Sequence, residues 1–432
     1  MARMSTALLT DRYELTMVEA ALRDGTAHRP CVFEVFARRL PGARRFGVVA
    51  GTGRLLELLR EFRFGDEQLR FLRDERVVDA ATLDHLAGYR FRGTIIGYAE
   101  GELYFPDSPV LTVLGTFADA VLLETLVLSV LNHDSAVATA AARMSIAAGP
   151  RPLAEMGSRR AGERSAVAAA RAAYIAGFSS TSNLEAGRTW GVPTMGTAAH
   201  AWTLLHDTEE EAFRAQVSTL GAGTTLLVDT YDIERGVETA VRVAGPDLGG
   251  VRLDSGDLPV LAARVRAQLD SLGATGTRIT VTSDLDEYAL AALASAPVDA
   301  YGVGTSVVTG SGSPTAGMVF KLVARQAPSG EWIPVAKASA EKATHGGRKR
   351  AVRELKGGTA VAEVLAVGED ARLPEGRPLQ VDLVVDGEPV AGFAGAEGVR
   401  RARAHHAEVR RELPLSALGL SRSDPAVPTR YV

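Results

Sequence analysis

The chain has 432 residues, 46% of them hydrophobic and 23% charged, the balance of a globular protein with a sizeable core and two or three domains. A formal net charge of −4 gives no electrostatic reason to expect nucleic acid or an anionic membrane as a partner. The single cysteine, Cys31, excludes an internal disulfide and any multi-cysteine metal site, so no zinc centre is expected.

The N-terminal stretch "MARMSTALLTDRYELTM" has no apolar run long enough for a secretion signal, and a cytoplasmic protein is expected. Thr10 or Asp11 can cap a helix through "TDRYELTMVEAALRDG", and Gly25 can end it. The strand "CVFEVFARRL" follows, then amphipathic helices near 51–62 and 66–75. The β-branched and aromatic residues of "GYRFRGTIIGYAEGELYFPDSPVLTVLG" predict strands. Ala118 to Met144 is the most apolar segment; Asp119, Glu124, His133 and Asp134 interrupt it, which predicts a buried helix and not a membrane span.

From about 118 short apolar strands alternate with helical patterns. The strands fall near "AAYIAGF", "PTMGT", "TTLLVDTYD", "GGVRLDSGD", "RITVTSDLD", "DAYGVGT" and "MVFKLVA". Such alternation predicts a parallel sheet. The polar clusters "TSN", "GTAAH", "DTYD", "RLDSGD", "SDLD" and "GVGT" all sit at C-terminal strand ends, which favours a (β/α) barrel with its site on one face. The expected fold class is therefore α/β, with a barrel over 118–330. A second α/β layer is built from residues 1–117 and completed by 331–432.

These strand ends carry the candidate chemistry. Gly302, Gly304 and Thr305 follow a strand, where backbone N–H groups can cradle a phosphate; a flexible loop is the plainer reading. Arg252 and Asp254 share one strand end, with Asp229, Asp232 and Asp284 on neighbouring ones. Arginine offers a bidentate donor to an anion, and Asp229 and Asp254 can hold Mg²⁺ through waters. Arg159 and Arg160 form an anion clamp or a surface pair. Thr197 and His200 lie three apart behind small residues, and a lone histidine there is equally an ordinary helix residue.

Taken in order, "TDRYELTM", "FEVFARRLP", "LETLVLSVLNHDS", "GSRRA", "FSSTSN", "GTAAHAW", "DTYD", "GVRLDSGDL" and "GVGT" resemble the nicotinate phosphoribosyltransferase family, from about residue 8 to 360. The resemblance implies an irregular barrel of type II phosphoribosyltransferases. It also implies synthesis of nicotinate mononucleotide from nicotinate and phosphoribosyl pyrophosphate, coupled to ATP hydrolysis, in salvage for NAD biosynthesis. His200 matches the histidine that the family phosphorylates; the transition state of the implied reaction carries positive charge on the sugar, which acids such as Asp229 and Asp254 can stabilise electrostatically. Tyr13 resembles the aromatic that stacks on the pyridine ring, and Ser182 and Asn183 the lining of its pocket. Arg252 and Arg159 resemble ligands of nicotinate and phosphate. Arg38 and Arg39 resemble arginines that reach the pyrophosphate across a homodimer interface, so shared active sites are implied. Ala201 and Ile233 depart from the commonest pattern. The alternatives are a phosphoribosyltransferase for nicotinamide or quinolinate, and a barrel that binds nucleotide without turnover.

Overall fold

The computed structural model describes residues 5–337, 345–368 and 371–432, so residues 338–344 of the expected mixed C-terminal segment lie outside the described residues. The chain divides into two compact units, one of residues 1–139 with 313–432 and the other of 140–312.

In the first unit the strand Pro30–Ala37 is buried at every position but the first. A strand apolar on both faces belongs in the middle of a sheet, and it pairs antiparallel with Met318–Gln326 on one side and Leu111–Thr116 on the other. Thr94–Tyr98, Gln380–Val385 and Glu388–Pro389 extend the sheet beyond Leu111–Thr116, and Trp332–Pro334 closes its opposite edge. Phe33 stacks on Phe320 with ring centroids 4.9 Å apart inside the main core. A four-stranded sheet with the order Arg377–Pro378, Lys349–Lys356, Thr359–Val367, Thr429–Tyr431 completes the unit. Buried ion pairs accompany these sheets: Lys349 with Glu34 at 2.7 Å and Arg353 with Glu363 at 2.8 Å.

The apolar segment forms the helices Phe117–Val121 and Glu124–Ala148. By length and composition alone the stretch 117–148 is apolar enough to cross a membrane, but 67% of its most apolar window is buried inside the protein. Its polar side chains serve protein partners. Asp134 pairs with Arg54 at 2.9 Å, while Ser135 and Thr139 accept from the backbone N–H groups of Ala50 and Val48. A core helix accounts for this pattern.

In the second unit a six-stranded parallel sheet has the order Ser180–Thr181, Leu153–Glu155, Ala300–Val303, Arg278–Ser283, Gly250–Leu253, Thr225–Leu227. Read in chain order, the last of these strands pairs with the first, and a bridge from Thr181 to Thr194 adds one more position. The order is thus cyclic, a barrel with one seam between Thr194 and Thr225–Leu227. Across that seam His200 Nε2 lies 3.1 Å from Asp229 Oδ1.

Two expectations need correction, and one strand went unread. "AAYI" belongs to the helix Glu163–Ile175, an alanine-rich run whose intrinsic preference is helical, and the strand comes later at Ser180–Thr181. "MVFKLVA" is no barrel strand: its half-buried alternation suits the antiparallel sheet it joins. The strand Leu153–Glu155, three residues long, had no recognisable pattern.

His406 gives the first unit a titratable weak point. It is 2% exposed on the helix Gly395–Val409. Its Nδ1–H donates to the carbonyl of Gly101 at 2.9 Å, and Nε2 is buried without a partner. Gly101 has φ +94°, and a Cβ there would meet the carbonyl oxygen of Ala402 at 2.3 Å, so the close approach requires glycine. Burial, with smaller contributions from Arg410 and His405, pulls the imidazole from 6.5 down to about 4, against the Gly101 carbonyl and Glu102. Between those values the unfolded chain binds a proton that the folded chain refuses. Stability therefore falls as pH drops through the window, by up to about 3 kcal/mol. Melting temperatures followed from about pH 7 to pH 4.5 should decline less steeply for His406→Gln than for the native chain; parallel slopes would remove His406 as the cause.

Candidate active site

The C-terminal ends of the parallel strands surround a cavity of about 560 Å³ lined by Arg159, Ser182, Thr197, His200, Arg252, Asp254, Asp284, Gly302, Gly304 and Thr305, all expected site residues. Met156, Arg160, Met195 and Thr282 line it as well. Parallel strands leave their C-terminal ends open on one side, so each strand-end loop delivers its polar residues to the same face.

Asp229 stands behind this wall. Its side chain is 1% exposed, against 39% for His200. Oδ1 faces His200 Nε2 at 3.1 Å, and Oδ2 accepts from the Asp254 backbone N–H at 2.8 Å and from Ser255 Oγ at 3.2 Å. A carboxylate acceptor fixes Nε2 as the N–H of the ring, which leaves the lone pair on Nδ1. Asp229 is thus an orienting group and not part of the cavity lining. Asp254 accepts from Thr282 Oγ1. Asp232, further along "DTYD", caps the helix Ile233–Ala244 by accepting from the Arg235 N–H at 2.9 Å.

Arg252 reaches the cavity from the strand Gly250–Leu253 and donates through Nη1 to Thr197 Oγ1 at 2.9 Å. Its Nε is buried without a partner. Burial pulls its guanidinium below the ordinary arginine range, with Arg159 acting in the same direction and Asp254 and Asp229 opposing. Arg159 and Arg160 stand exposed on the one-turn helix Ser158–Arg160. None of these three guanidiniums makes an ion pair among the described residues, so all three can donate to an anion in the cavity.

Other expected residues stand elsewhere. Asn183 does not line the cavity; it caps the helix Leu184–Trp190 and donates through Nδ2 to Ser158 Oγ at 2.9 Å, steadying the turn that carries Arg159 and Arg160. Glu155, which the sequence did not single out, does similar work. It is buried, accepts from Gly157 N–H at 2.5 Å and from Thr181 Oγ1 at 2.6 Å, and burial raises its carboxyl above the usual range. Tyr13, Arg38 and Arg39 belong to the other unit. Tyr13 is 45% exposed, and burial of its phenol beside Glu124 and Glu14 pushes it up to about 12. Arg38 Nε is buried without a partner, its guanidinium carbon 5.9 Å from the Phe36 ring centroid.

Among the described residues no group of three or more His, Cys, Asp or Glu has a metal-holding arrangement. Both oxygens of Asp229 are committed to protein donors, which leaves Asp254 and Asp284 as the carboxylates on the cavity wall.

A strand-end cavity that pairs unneutralised arginines with an oriented histidine defines an α/β enzyme of anionic substrates. Known proteins narrow this class. Residues 8–132 match the nicotinate phosphoribosyltransferase (NAPRTase) N-terminal domain. Nicotinate phosphoribosyltransferase pncB1 of Mycobacterium tuberculosis (strain CDC 1551 / Oshkosh) is 56% identical, over 98% of this chain and 95% of its own. The Bacillus subtilis (strain 168) nicotinate phosphoribosyltransferase is 39% identical, over 81% of this chain and 73% of its own. The crystal structure of human nicotinic acid phosphoribosyltransferase superposes with a TM-score of 0.83 at 27% identity, over 98% of this chain and 97% of that one. The chain belongs to the nicotinate phosphoribosyltransferase family.

Gly302 sits in the ladder between Ala154 and Thr282, where a Cβ would meet Thr282 Cγ2 at 2.5 Å and Met156 Sδ at 2.7 Å. Close packing of the cavity wall therefore requires glycine at this position, which lines the cavity as expected. Gly304 has room, its nearest neighbour 3.5 Å away. Gly302→Ala should lower stability by about 1–3 kcal/mol through overpacking, whereas Gly304→Ala should leave the melting temperature within about a degree; equal melting curves for the two variants would refute the packing role.

Proposed function

We propose that the chain makes nicotinate mononucleotide and pyrophosphate from nicotinate and phosphoribosyl pyrophosphate, with hydrolysis of ATP to ADP and phosphate coupled to the transfer, in cytoplasmic salvage of nicotinate for NAD biosynthesis. The observation that carries this reading is Arg252: a half-buried cation without an ion pair, its Nε buried and unpartnered, beside the oriented His200, at the cavity of a family member. Such a guanidinium is matched by the nicotinate carboxylate or an adjacent phosphate. A substrate amide would leave it unneutralised.

The pyridine nitrogen donates its lone pair to ribose C1 as the bond to pyrophosphate breaks, and the pair of that bond leaves on the pyrophosphate oxygen. Positive charge gathers on the ribose, within reach of Asp254 and Asp284 on the wall, and preorganised carboxylates stabilise it. Arg159 and Arg160 receive the phosphates. Asp254 and Asp284 would hold Mg²⁺ through water, and the ion would supply counter-charge to the pyrophosphoryl substrate. His200 is the energy-coupling group. With Nε2–H held by Asp229, Nδ1 attacks the γ-phosphorus of ATP and ADP leaves; water later cleaves the N–P bond and releases phosphate.

In the same reading the enzyme is a homodimer with composite sites, Tyr13, Arg38 and Arg39 of one protomer completing the site of its partner. What supports this is apolar exposure on each unit: Leu184, Leu204, Leu205 and Tyr231 on the barrel, Leu8, Leu9 and Tyr13 on the other.

His200→Asn should fold and keep slow ATP-independent transfer while losing stimulation by ATP. With γ-labelled ATP the native chain should take up acid-labile, base-stable label and the variant none; equal labelling would exclude His200 as the acceptor. Tyr13→Ala and Arg252→Ala should each be nearly inactive as homodimers. Refolded together, they should recover up to about a quarter of native activity, because a mixed two-fold dimer puts both lesions in one site and leaves the other intact. No recovery in a preparation shown to contain mixed dimers would exclude the shared site.

A further inference from the structure

A second cavity, of about 770 Å³, lies wholly within the unit of residues 1–139 and 313–432, at one end of the seven-stranded sheet. It shares no residue with the cavity around His200. Its volume is in the range of small-molecule sites, roughly 300–1,000 Å³.

The segment "GYRFRG" builds its charged side. Tyr89 and Phe91 are buried in the core, so the extended chain turns Arg90 and Arg92 away from it, and both line the cavity. Arg90 donates only to the carbonyl of Tyr89 at 2.6 Å, and neither arginine makes an ion pair among the described residues. His85, in the last turn of the helix Ala80–Ala87, contributes a buried Nε2 that has no hydrogen-bond partner. Burial, with His28 at a ring separation of 5.9 Å, pulls its pKa below the ordinary histidine value, so His85 acts as a neutral hydrogen-bonding group. A buried polar atom left unpaired is costly unless something binds it.

The remaining walls make the requirement more specific. Trp332, on the edge strand Trp332–Pro334, gives the cavity an aromatic side. Asp119 and Asp386 add carboxylate acceptors. Two cations balanced by two carboxylates are a poor trap for a bare anion. They suit a molecule that carries an anion together with hydroxyl and amino donors, and the indole suits a flat ring. Cys31 also lines the cavity, but burial pushes its thiol up to about 11, so the site binds without covalent chemistry.

We propose that this cavity is a second ligand site that binds a nucleoside monophosphate. Arg90 and Arg92 hold the phosphate, His85 Nε2 takes a hydrogen bond, Asp119 and Asp386 accept from ribose or amino groups, and the base lies against Trp332. The site is independent of the reaction assigned to the barrel.

Equilibrium dialysis with radiolabelled AMP tests it by stoichiometry. Arg252→Ala, which damages only the barrel cavity, should retain one AMP per chain. Adding Arg90→Ala and Arg92→Ala to that background should weaken the retained binding at least about tenfold, the scale of losing charge-assisted contacts. Trp332→Ala should weaken it several-fold, and inorganic phosphate should compete only at about tenfold or higher excess over AMP. In the otherwise native chain the Arg90/Arg92 pair of substitutions should leave phosphoribosyl transfer within about twofold, which also reports that the exposed positions tolerate the change; the charge reversal Arg92→Glu serves as a second variant. The proposal fails if no AMP is retained at millimolar concentration, if Arg252→Ala alone abolishes binding, if the arginine substitutions leave it unchanged, or if phosphate competes as well as AMP.

Discussion

One carboxylate holds the catalytic face together. Asp229 gathers donors from both sides of the seam in the parallel ladder: His200 from the segment after Thr194, and the Asp254 N–H and Ser255 hydroxyl from the adjoining strand end. Backbone pairing cannot do this, because the seam is where the ladder stops. One buried group therefore sets the ring orientation of the histidine, the position of Asp254 and the spacing of the strand ends. In a site where small displacements are costly, such shared dependence makes the arrangement rigid. It also explains why an acid expected to face the substrate turns inward: each of its oxygens already satisfies a protein donor.

The treatment of arginine separates scaffold from site. Arg353 is fully buried and matched by Glu363, Arg143 is paired with Glu287 at 3.0 Å, and Arg377 is held between Glu102 and Glu412. Buried charges without such partners are strongly destabilising, so structural arginines come with their carboxylates. Arg252, half-buried with its Nε unpartnered, breaks this pattern beside His200. A cation that the fold leaves without a counter-charge reserves that interaction for a ligand.

The strand-end residues were legible in the sequence because a polar cluster directly after a short apolar strand can point in few directions. Thr197, His200, Arg252, Asp254, Asp284 and Thr305 meet at one cavity for that reason. What the sequence hid falls into two kinds. Very short strands such as Leu153–Glu155 carry no periodicity, and with them Glu155 was missed although it ties two strand ends together. Three-dimensional packing decides the other kind. Whether a glycine spares space for a ligand or for Met156, and whether Asn183 faces a pocket or caps a helix, depends on neighbours remote in sequence. The alanine run before Ile175 shows the opposite case: local helical preference there outweighed the strand-like look of its apolar end.

The two units meet their polar obligations differently, and the difference follows from what each does. In the unit of the antiparallel sheets, charges are buried in closed sets: Tyr98, Ser108 and Arg353 all converge on Glu363, while Arg377 and His405 converge on Glu102, which they hold down at about 2 against the cost of burial. Such sets specify one packing of the sheets, since slipping a strand by one residue would orphan several charges at once. The parallel unit also buries an ion pair, Arg143 with Glu287, but its strand-end polar groups include several that remain open to the cavity. Parallel strands supply their own backbone pairing along their length, so the ends are free to carry chemistry, provided that Asp229, Glu155 and Asn183 fix the loops from behind.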